Sequence, residues 1–438
     1  MAKPFVAIVG RPNVGKSTFF NRIAGKRISI VEDTPGVTRD RIYADAEWLT
    51  REFTLIDTGG IDPRSDDVIL SQMKLQASLA VDIADVILFF VDAKQGVVPA
   101  DYEVADLLRK AGKPIITVVN KTDSGKDEMN MYDFYALGTD SLFAISAAQG
   151  LGLGDLLDEV IAHLPDADED EDTERIRIAV VGKPNVGKSS LVNRVIGEDR
   201  TIVSDVAGTT RDAIDVPFER GGAQYTMIDT AGIRRKARIA DKSIERYSVI
   251  RSFAAVRRAD AVVVMIDAVE GITEQDAKIA GFVHEEGKPC VVAVNKWDAV
   301  EKDTHTIEKY KKDIACDLAF MSYAKTVYIS ALTGQRVDKL FELLHEARDN
   351  NRRRITTGLL NECIGEAVSM VEPPSDKGRR LKIYYATQVS ACPPYFVIFV
   401  NDGRLMHFSY LRYLENYLRK SFDFSGTPLR IVARNKKD

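Results

Sequence analysis

Over its first 350 residues the chain alternates two hydrophobic patterns. Short runs that are apolar throughout, Val6–Val9, Phe53–Ile56, Val86–Val91, Ile115–Val119 and Leu142–Ile145, have the length and composition of strands. Between them lie stretches that are apolar on one helical face, as in Asp101–Lys110 and Leu153–Ala162. A strand without polar alternation is covered on both faces. The pattern therefore predicts an α/β fold, a mainly parallel sheet flanked by helices, with ligands at the carboxyl ends of the strands. Beyond Asn351 the rhythm changes. Leu359, Leu360, Cys363, Ile364, Ala367 and Val368 recur at helical spacing. Strands are predicted at Leu381–Val389 and Tyr395–Val400 around a Pro-Pro turn. A helix then carries Leu411, Leu414, Leu418 and Phe422, and a last strand spans Leu429–Val432. The order α-β-β-α-β describes a small α+β domain.

The first 350 residues are a duplication. Val6–Asp40 and Ile178–Asp212 align without a gap, with 19 of 35 positions identical. GRPNVGKS (Gly10–Ser17) faces GKPNVGKS (Gly182–Ser189), and DTGG (Asp57–Gly60) faces DTAG (Asp229–Gly232), both at an offset of 172. NKTD (Asn120–Asp123) faces NKWD (Asn295–Asp298) at an offset of 175. A repeat of this length is a copied domain, not a solenoid unit. Seven of the nine residues in Asp166–Glu174 are acidic. Such a run repels itself and has nothing to bury, so it reads as a flexible linker or as the frayed end of the preceding helix. Domains are expected at 1–165 and 176–350, joined by a linker at 166–175 and followed by 351–438, a division that 438 residues accommodate.

Composition narrows the class. With 45% hydrophobic and 29% charged residues the chain is neither disordered nor fibrous. No apolar run approaches the ~20 residues of a membrane span. The N-terminus has no charged-then-apolar leader, so a cytoplasmic protein is expected. Cys290, Cys316, Cys363 and Cys392 are widely spaced, and the five histidines do not cluster. The cysteines therefore read as small core residues in a reducing compartment, not as a zinc or disulfide framework. The formal net charge of −5 conceals a basic end: residues 351–438 hold 15 Lys/Arg against 8 Asp/Glu, the remainder 45 against 57. Such an end either meets a polyanion or presents a solvated surface.

The motifs specify phosphate chemistry. A glycine-rich turn between strand and helix gathers backbone N–H groups into a nest for anions. Candidate contacts are Gly10, Arg11, Pro12, Asn13, Val14, Gly15, Lys16, Ser17 and Thr18, and in the second copy Gly182, Lys183, Pro184, Asn185, Val186, Gly187, Lys188, Ser189 and Ser190. Lys16 and Lys188 would reach β- and γ-phosphates, and Ser17 and Ser189 would place hydroxyls on Mg²⁺. Asp57 and Asp229 end apolar strands and open DxxG. Their carboxylates would hold Mg²⁺ through water, and Gly60 and Gly232 would meet the γ-phosphate. Thr58, Gly59 and Ile61, with Thr230, Ala231 and Ile233, complete those loops. Thr38 and Thr210, in TRD segments, are either the second Mg²⁺ hydroxyl or ordinary loop threonines. Lys16, Thr38, Asp57 and Gly60, with Lys188, Thr210, Asp229 and Gly232, are thus the candidate catalytic groups.

NKxD selects the base. A carboxylate accepts two hydrogen bonds from a face with two adjacent donors, which guanine has and adenine lacks. Asp123 and Asp298 are the candidate acceptors. Asn120 and Asn295 would brace the loops, with Lys121, Thr122, Lys296 and Trp297 beside them. Ser146-Ala147 and Ser330-Ala331 are placed to give a backbone N–H to the guanine carbonyl. GTP or GDP is the expected ligand. A pocket that only holds nucleotide, or an ATPase of the same loop class, is a weaker match to two intact motif sets.

The ordered set GKPNVGKS, TTRD, DTAG, NKWD and SAL resembles the translation-factor-related GTPases of the Era/TrmE branch. The resemblance covers essentially the whole chain. It implies a GTPase that helps assemble the large (50S) ribosomal subunit, in contact with rRNA through a KH-like C-terminal domain. No DNA partner and no membrane span are implied, and a monomer is expected. Two departures qualify the match. Ile61 and Ile233 stand where Ras-like enzymes have a water-orienting glutamine. By resemblance a potassium ion replaces it, with Asn13 and Asn185 as K⁺ ligands or simply as loop supports. Arg39 and Arg211 lie near the switch segments. The second departure is that no GxxG follows residue 351, so the usual four-nucleotide clamp is missing. Arg379, Arg380, Lys382, Arg412, Arg419 and Lys420 remain for phosphates. Tyr384, Tyr385, Tyr395 and Phe399 either stack bases or fill the core. The basic stretch Ile233–Ser248 is a partner-contacting switch or a solvated helix.

Overall fold

The computed structural model describes residues 3–24, 43–58, 66–123, 129–165, 175–198, 215–228, 243–303, 305–376 and 378–436. The acidic linker Asp166–Glu174 lies outside them. The chain divides into two compact units, Met1–Glu171 and Asp172–Asp438.

The first unit is one six-stranded sheet in the order β2-β3-β1-β4-β5-β6: β1 (Phe5–Gly10), β2 (Tyr43–Trp48), β3 (Arg51–Asp57), β4 (Val86–Asp92), β5 (Ile115–Asn120) and β6 (Ser141–Ile145). β2 runs antiparallel to β3, and every other pairing is parallel. The apolar strands behave as their pattern requires. Along β1, Val6 and Ile8 enter one core while Ala7 and Val9 enter the other. Along β4, Leu88 and Phe90 alternate in the same way with Ile87 and Phe89. Helix α1 (Lys16–Ala24) and a helix at Leu153–His163 cover the first face; those at Asp66–Ile83 and Pro99–Arg109 cover the second.

The second unit repeats this sheet in the same spatial order, with β7 (Ile176–Val181), β8 (Val216–Arg220), β9 (Ala223–Met227), β10 (Ala261–Asp267), β11 (Cys290–Asn295) and β12 (Lys325–Tyr328). β10 again splits its residues, Val263 and Met265 to one core and Val262, Val264 and Ile266 to the other. The chain continues through a helix at Val337–Asn351 into the small domain. There, helices at Thr357–Met370 and Phe408–Ser421 pack on one face of a three-stranded sheet. A short hairpin pairs β13 (Ser375–Asp376) with β14 (Arg379–Arg380). β15 (Ile383–Ser390) is antiparallel to β16 (Tyr395–Val400), which is parallel to β17 (Arg430–Asn435).

The predicted α-β-β-α-β order is present, with shifted ends. Leu381 precedes the strand and is buried in the core, and the last strand begins one residue later and runs further than expected. Of the four cysteines, Cys290 and Cys363 are buried, but Cys316 and Cys392 are exposed, which corrects their reading as core. Tyr384 and Tyr385 are exposed too.

The small domain is anchored to the second repeat by backbone and buried side-chain bonds. The Gly426 carbonyl accepts the Cys290 N–H at 2.8 Å, at the first residue of β11, and the Gly426 N–H donates to Tyr323 at 2.8 Å. Thr427 Oγ1 donates to Asn351 Oδ1 at 2.6 Å with both side chains buried. Gly426 has φ +77°, and a Cβ there would overlap Ala347. The Arg419 guanidinium lies 5.0 Å from the Tyr323 ring centre and donates to the carbonyls of Phe424 and Thr427. It is an anchor of this junction, not the free phosphate contact its sequence position suggested.

Candidate functional site

In both repeats the described motif residues lie where parallel strands end. β1 delivers Gly10 at φ +152°, and a Cβ there would overlap the Phe90 carbonyl. The loop turns through Asn13 at φ 65° and Gly15 at φ 97° before Lys16 opens α1. Gly182, Asn185 and Gly187 repeat this conformation at φ 151°, 65° and 97°. Asn13 and Asn185 are exposed, and their side chains make no hydrogen bond among the described residues. Val14 and Val186 are buried anchors, whereas Ser17, Thr18, Ser189 and Ser190 are exposed on the first turn of the following helix.

Lys16 is 6% exposed. Its Nζ donates to the carbonyls of Gly10 and Arg11, each at 2.6 Å. Burial pulls its ammonium down to about 8, against the attraction of Asp57. Lys188 donates to Gly182 and Lys183 at the same 2.6 Å. Asp57, the last residue of β3, accepts from Ser17 Oγ at 3.1 Å. Thr58 is buried, its hydroxyl bonded to the Ile8 carbonyl at 2.5 Å. Thr38, Arg39, Gly59, Gly60, Ile61, Thr210, Arg211, Asp229, Thr230, Ala231, Gly232 and Ile233 lie outside the described residues. So does most of the basic stretch, of which Ser243–Ser248 begins the helix Ser243–Arg258.

The NKxD loops close over the phosphate loops. Asn120 is 2% exposed; its Nδ2 donates to the Val14 carbonyl at 2.7 Å, and its Oδ1 accepts from Ala147 N–H at 2.9 Å. Asn295 does the same with Val186 at 2.7 Å and Ala331 at 2.8 Å. A Cβ on Gly15 would overlap the Asn120 amide nitrogen, and one on Gly187 that of Asn295. Lys121 and Lys296, both in the left-handed region, donate to Asp92 at 2.6 Å and Asp267 at 2.5 Å. Thr122 is buried on the Ile145 carbonyl. Trp297, by contrast, fills the core against Tyr310 and Tyr328. The Ser146 and Ala147 N–H groups donate to Leu151 and Asn120, and those of Ser330 and Ala331 to Gln335 and Asn295. The donors expected for a guanine carbonyl are thus engaged within the protein.

Asp123 accepts from Lys94 Nζ and Ser146 Oγ, each at 2.7 Å. The Lys94 bond, with that of Ser146, holds the Asp123 carboxyl below its ordinary range. Asp298 is exposed.

One pair of contacts was not read from the sequence. Arg11 Nε donates to the buried Asp101 at 2.9 Å, and Lys183 lies 3.6 Å from the buried Asp276. Asp101 and Asp276 share the 175-residue offset of NKxD, so the repeat itself carried the signal.

Comparison with known proteins gives the lineage. The family described as 50S ribosome-binding GTPase matches residues 5–121 and again 177–296. The KH-domain-like C-terminal region of EngA bacterial GTPase enzymes matches 354–434. A GTPase Der of Agathobacter rectalis is 60% identical over 440 residues, covering 100% of both chains. That of Acetivibrio thermocellus is 58% identical, again over 100% of both. The chain belongs to the Der family of GTPases. As a Der-family member it has two GTPase domains followed by a KH-like domain.

The fit of Gly15 against Asn120 yields a test. Gly15→Ala forces one of the two to move, at a cost of roughly 1–3 kcal/mol of strain. It should weaken nucleotide binding at the first site while leaving the second intact. Equilibrium dialysis should then show one tightly held guanine nucleotide per chain, against two expected for the parent.

Proposed function

We propose that the chain is a Mg²⁺-dependent, K⁺-stimulated GTP hydrolase that acts in assembly of the 50S ribosomal subunit. Its two pockets would govern the arrangement of the basic KH-like domain. The observation that supports this reading is the convergence, in both repeats, of the phosphate loop and the Ser-Ala loop on the amide of the NKxD asparagine. In this reading Asp123 and Asp298 accept the N1–H and 2-amino group of guanine. Lys16 and Lys188 exchange loop carbonyls for phosphate oxygens.

The donor set suits the metals. Ser17 hydroxyl and Asp57 carboxylate already meet, and both are hard oxygen donors of the kind Mg²⁺ takes. Ser17, Asp57 and Thr38, with Ser189, Asp229 and Thr210, would hold Mg²⁺, which neutralises charge on the phosphate oxygens. The exposed amides of Asn13 and Asn185 would hold K⁺, supplying the positive charge that an arginine finger brings elsewhere. Ile61 and Ile233 donate no side-chain hydrogen bond, so neither orients the attacking water. Loss of the γ-phosphate would release the loops carrying Thr38, Ile61, Thr210 and Ile233. On the KH-like domain, the exposed Tyr384 and Tyr385 stand beside Arg379, Arg380 and Lys382, and Lys436 lies 5.1 Å over the Tyr384 ring. Aromatic and basic groups side by side suit single-stranded rRNA without a GxxG loop.

Two outcomes are expected. Cosedimentation with large ribosomal subunits should differ between a GTP analogue, GDP and no nucleotide, and GTP turnover should be faster in K⁺ than in Na⁺. Association indifferent to nucleotide removes the switch, and equal turnover removes the K⁺ site. Lys16 adds a pH dependence. Its free-state value of about 8 rises when a phosphate anion restores its charge. GDP binding at the first site should therefore take up protons at and above that pH, and affinity should fall as pH rises through it. Calorimetry in buffers of different ionisation enthalpy measures the uptake.

A further inference from the structure

The loops that follow β4 and β10 have the same construction. The backbone N–H of Lys94 donates to Asp92 Oδ1 at 2.9 Å, and that of Val269 donates to Asp267 Oδ1 at 2.9 Å. Each aspartate also receives the NKxD lysine on its other oxygen. The two loops differ in the side chain two residues after that aspartate. In the first repeat it is Lys94, whose ammonium sits 2.7 Å from Asp123 Oδ2 while Ser146 occupies Oδ1. In the second it is Val269, 63% exposed and without charge. Asp298 makes no hydrogen bond or ion pair among the described residues, and Ser330 Oγ takes the Thr333 N–H at 3.1 Å.

We propose that Lys94 is an affinity-determining residue of the first pocket, an intramolecular competitor for the carboxylate that reads the base. The inference rests on the guanine reading given above. Guanine presents two donors, and the carboxylate must meet one with each oxygen. An ammonium bound to Oδ2 draws on the acceptor density and charge that those donors need. Binding of the base at the first pocket must share or displace Lys94, and binding at the second displaces no hydrogen bond or ion pair of Asp298 among the described residues. The ion pair is half-exposed, 49% at Lys94 and 32% at Asp123, so it is a weak competitor and a salt-dependent one. A side chain outside every nucleotide motif thereby contributes to making the copied pockets unequal.

The test uses the full chain carrying Asp298→Asn, which turns the second pocket from guanine to xanthine nucleotides. GDP titration then reports the first pocket alone. Adding Lys94→Val, the residue the second repeat has at this place, should tighten GDP binding about two- to fivefold, the range of an exposed ion pair. Lys94→Gln, which keeps the length and loses the charge, should do the same. The gain should shrink in ~1 M salt, where charges are screened within ~3 Å. In the reciprocal chain, Asp123→Asn with Val269→Lys should bind GDP more weakly at the second pocket than Asp123→Asn alone. Unchanged or weaker GDP binding by both Lys94 variants overturns the proposal and makes Lys94 a support for Asp123. A gain undiminished by salt overturns it as well. The guanine reading fails separately, if the parent chain binds ADP as it binds GDP or if Asp298→Asn leaves two GDP sites.

Discussion

The arrangement of each pocket depends on one buried amide. The side chain of Asn120, and of Asn295 in the copy, donates to the phosphate loop with its nitrogen and accepts from the Ser-Ala loop with its oxygen. A buried amide left half-bonded is costly, so three loops carried by separate strands are held in one relation. The glycine before each P-loop lysine is what lets the amide approach, since any side chain there would occupy its place. The parallel run β1-β4-β5-β6 sets those loops along a single edge. The loop after β1 and the loop after β5 are therefore not independent parts of this fold.

Much of this was legible in the sequence because spacing and duplication carry it. Strands buried on both faces announce themselves as unbroken apolar runs, and β1, β3, β4, β5 and β6 stand where those runs lie. β2 was not foreseen, since Tyr43–Trp48 is an edge strand with only Ala46 buried, and its residues alternate with charge. The helix Asp66–Ile83 is apolar around much of its circumference, so no single helical face marks it. Motif residues were legible for the same reason as the strands. Their partners were not: Arg11 and Asp101 are 90 residues apart, and Lys94 and Asp123 are 29 apart. Those contacts exist only once β4 lies between β1 and β5, a fact of pairing that a linear pattern does not contain. Burial of a lone cysteine or the partner of Arg419 is likewise a matter of tertiary placement.

Duplication preserves the frame and allows the rim to diverge. The carboxylates of Asp92 and Asp267 and the buried Asp101 and Asp276 are retained in both copies. Some changes fall on exposed positions, such as Lys94 against Val269, where substitution costs the fold little.

β11 has commitments at both ends. Its first residue gives its N–H to Gly426 of the KH-like domain, and its last is Asn295, whose amide ties together the loops after β7 and β12. A six-residue strand spans about 20 Å, so the two sites share a single stiff rod. For anyone dissecting the molecule, this sets where the knife can fall. A cut after the helix Val337–Asn351 would strip the rod of its first bond and uncover Tyr323, whereas a break in the acidic stretch before residue 175 severs none of these bonds.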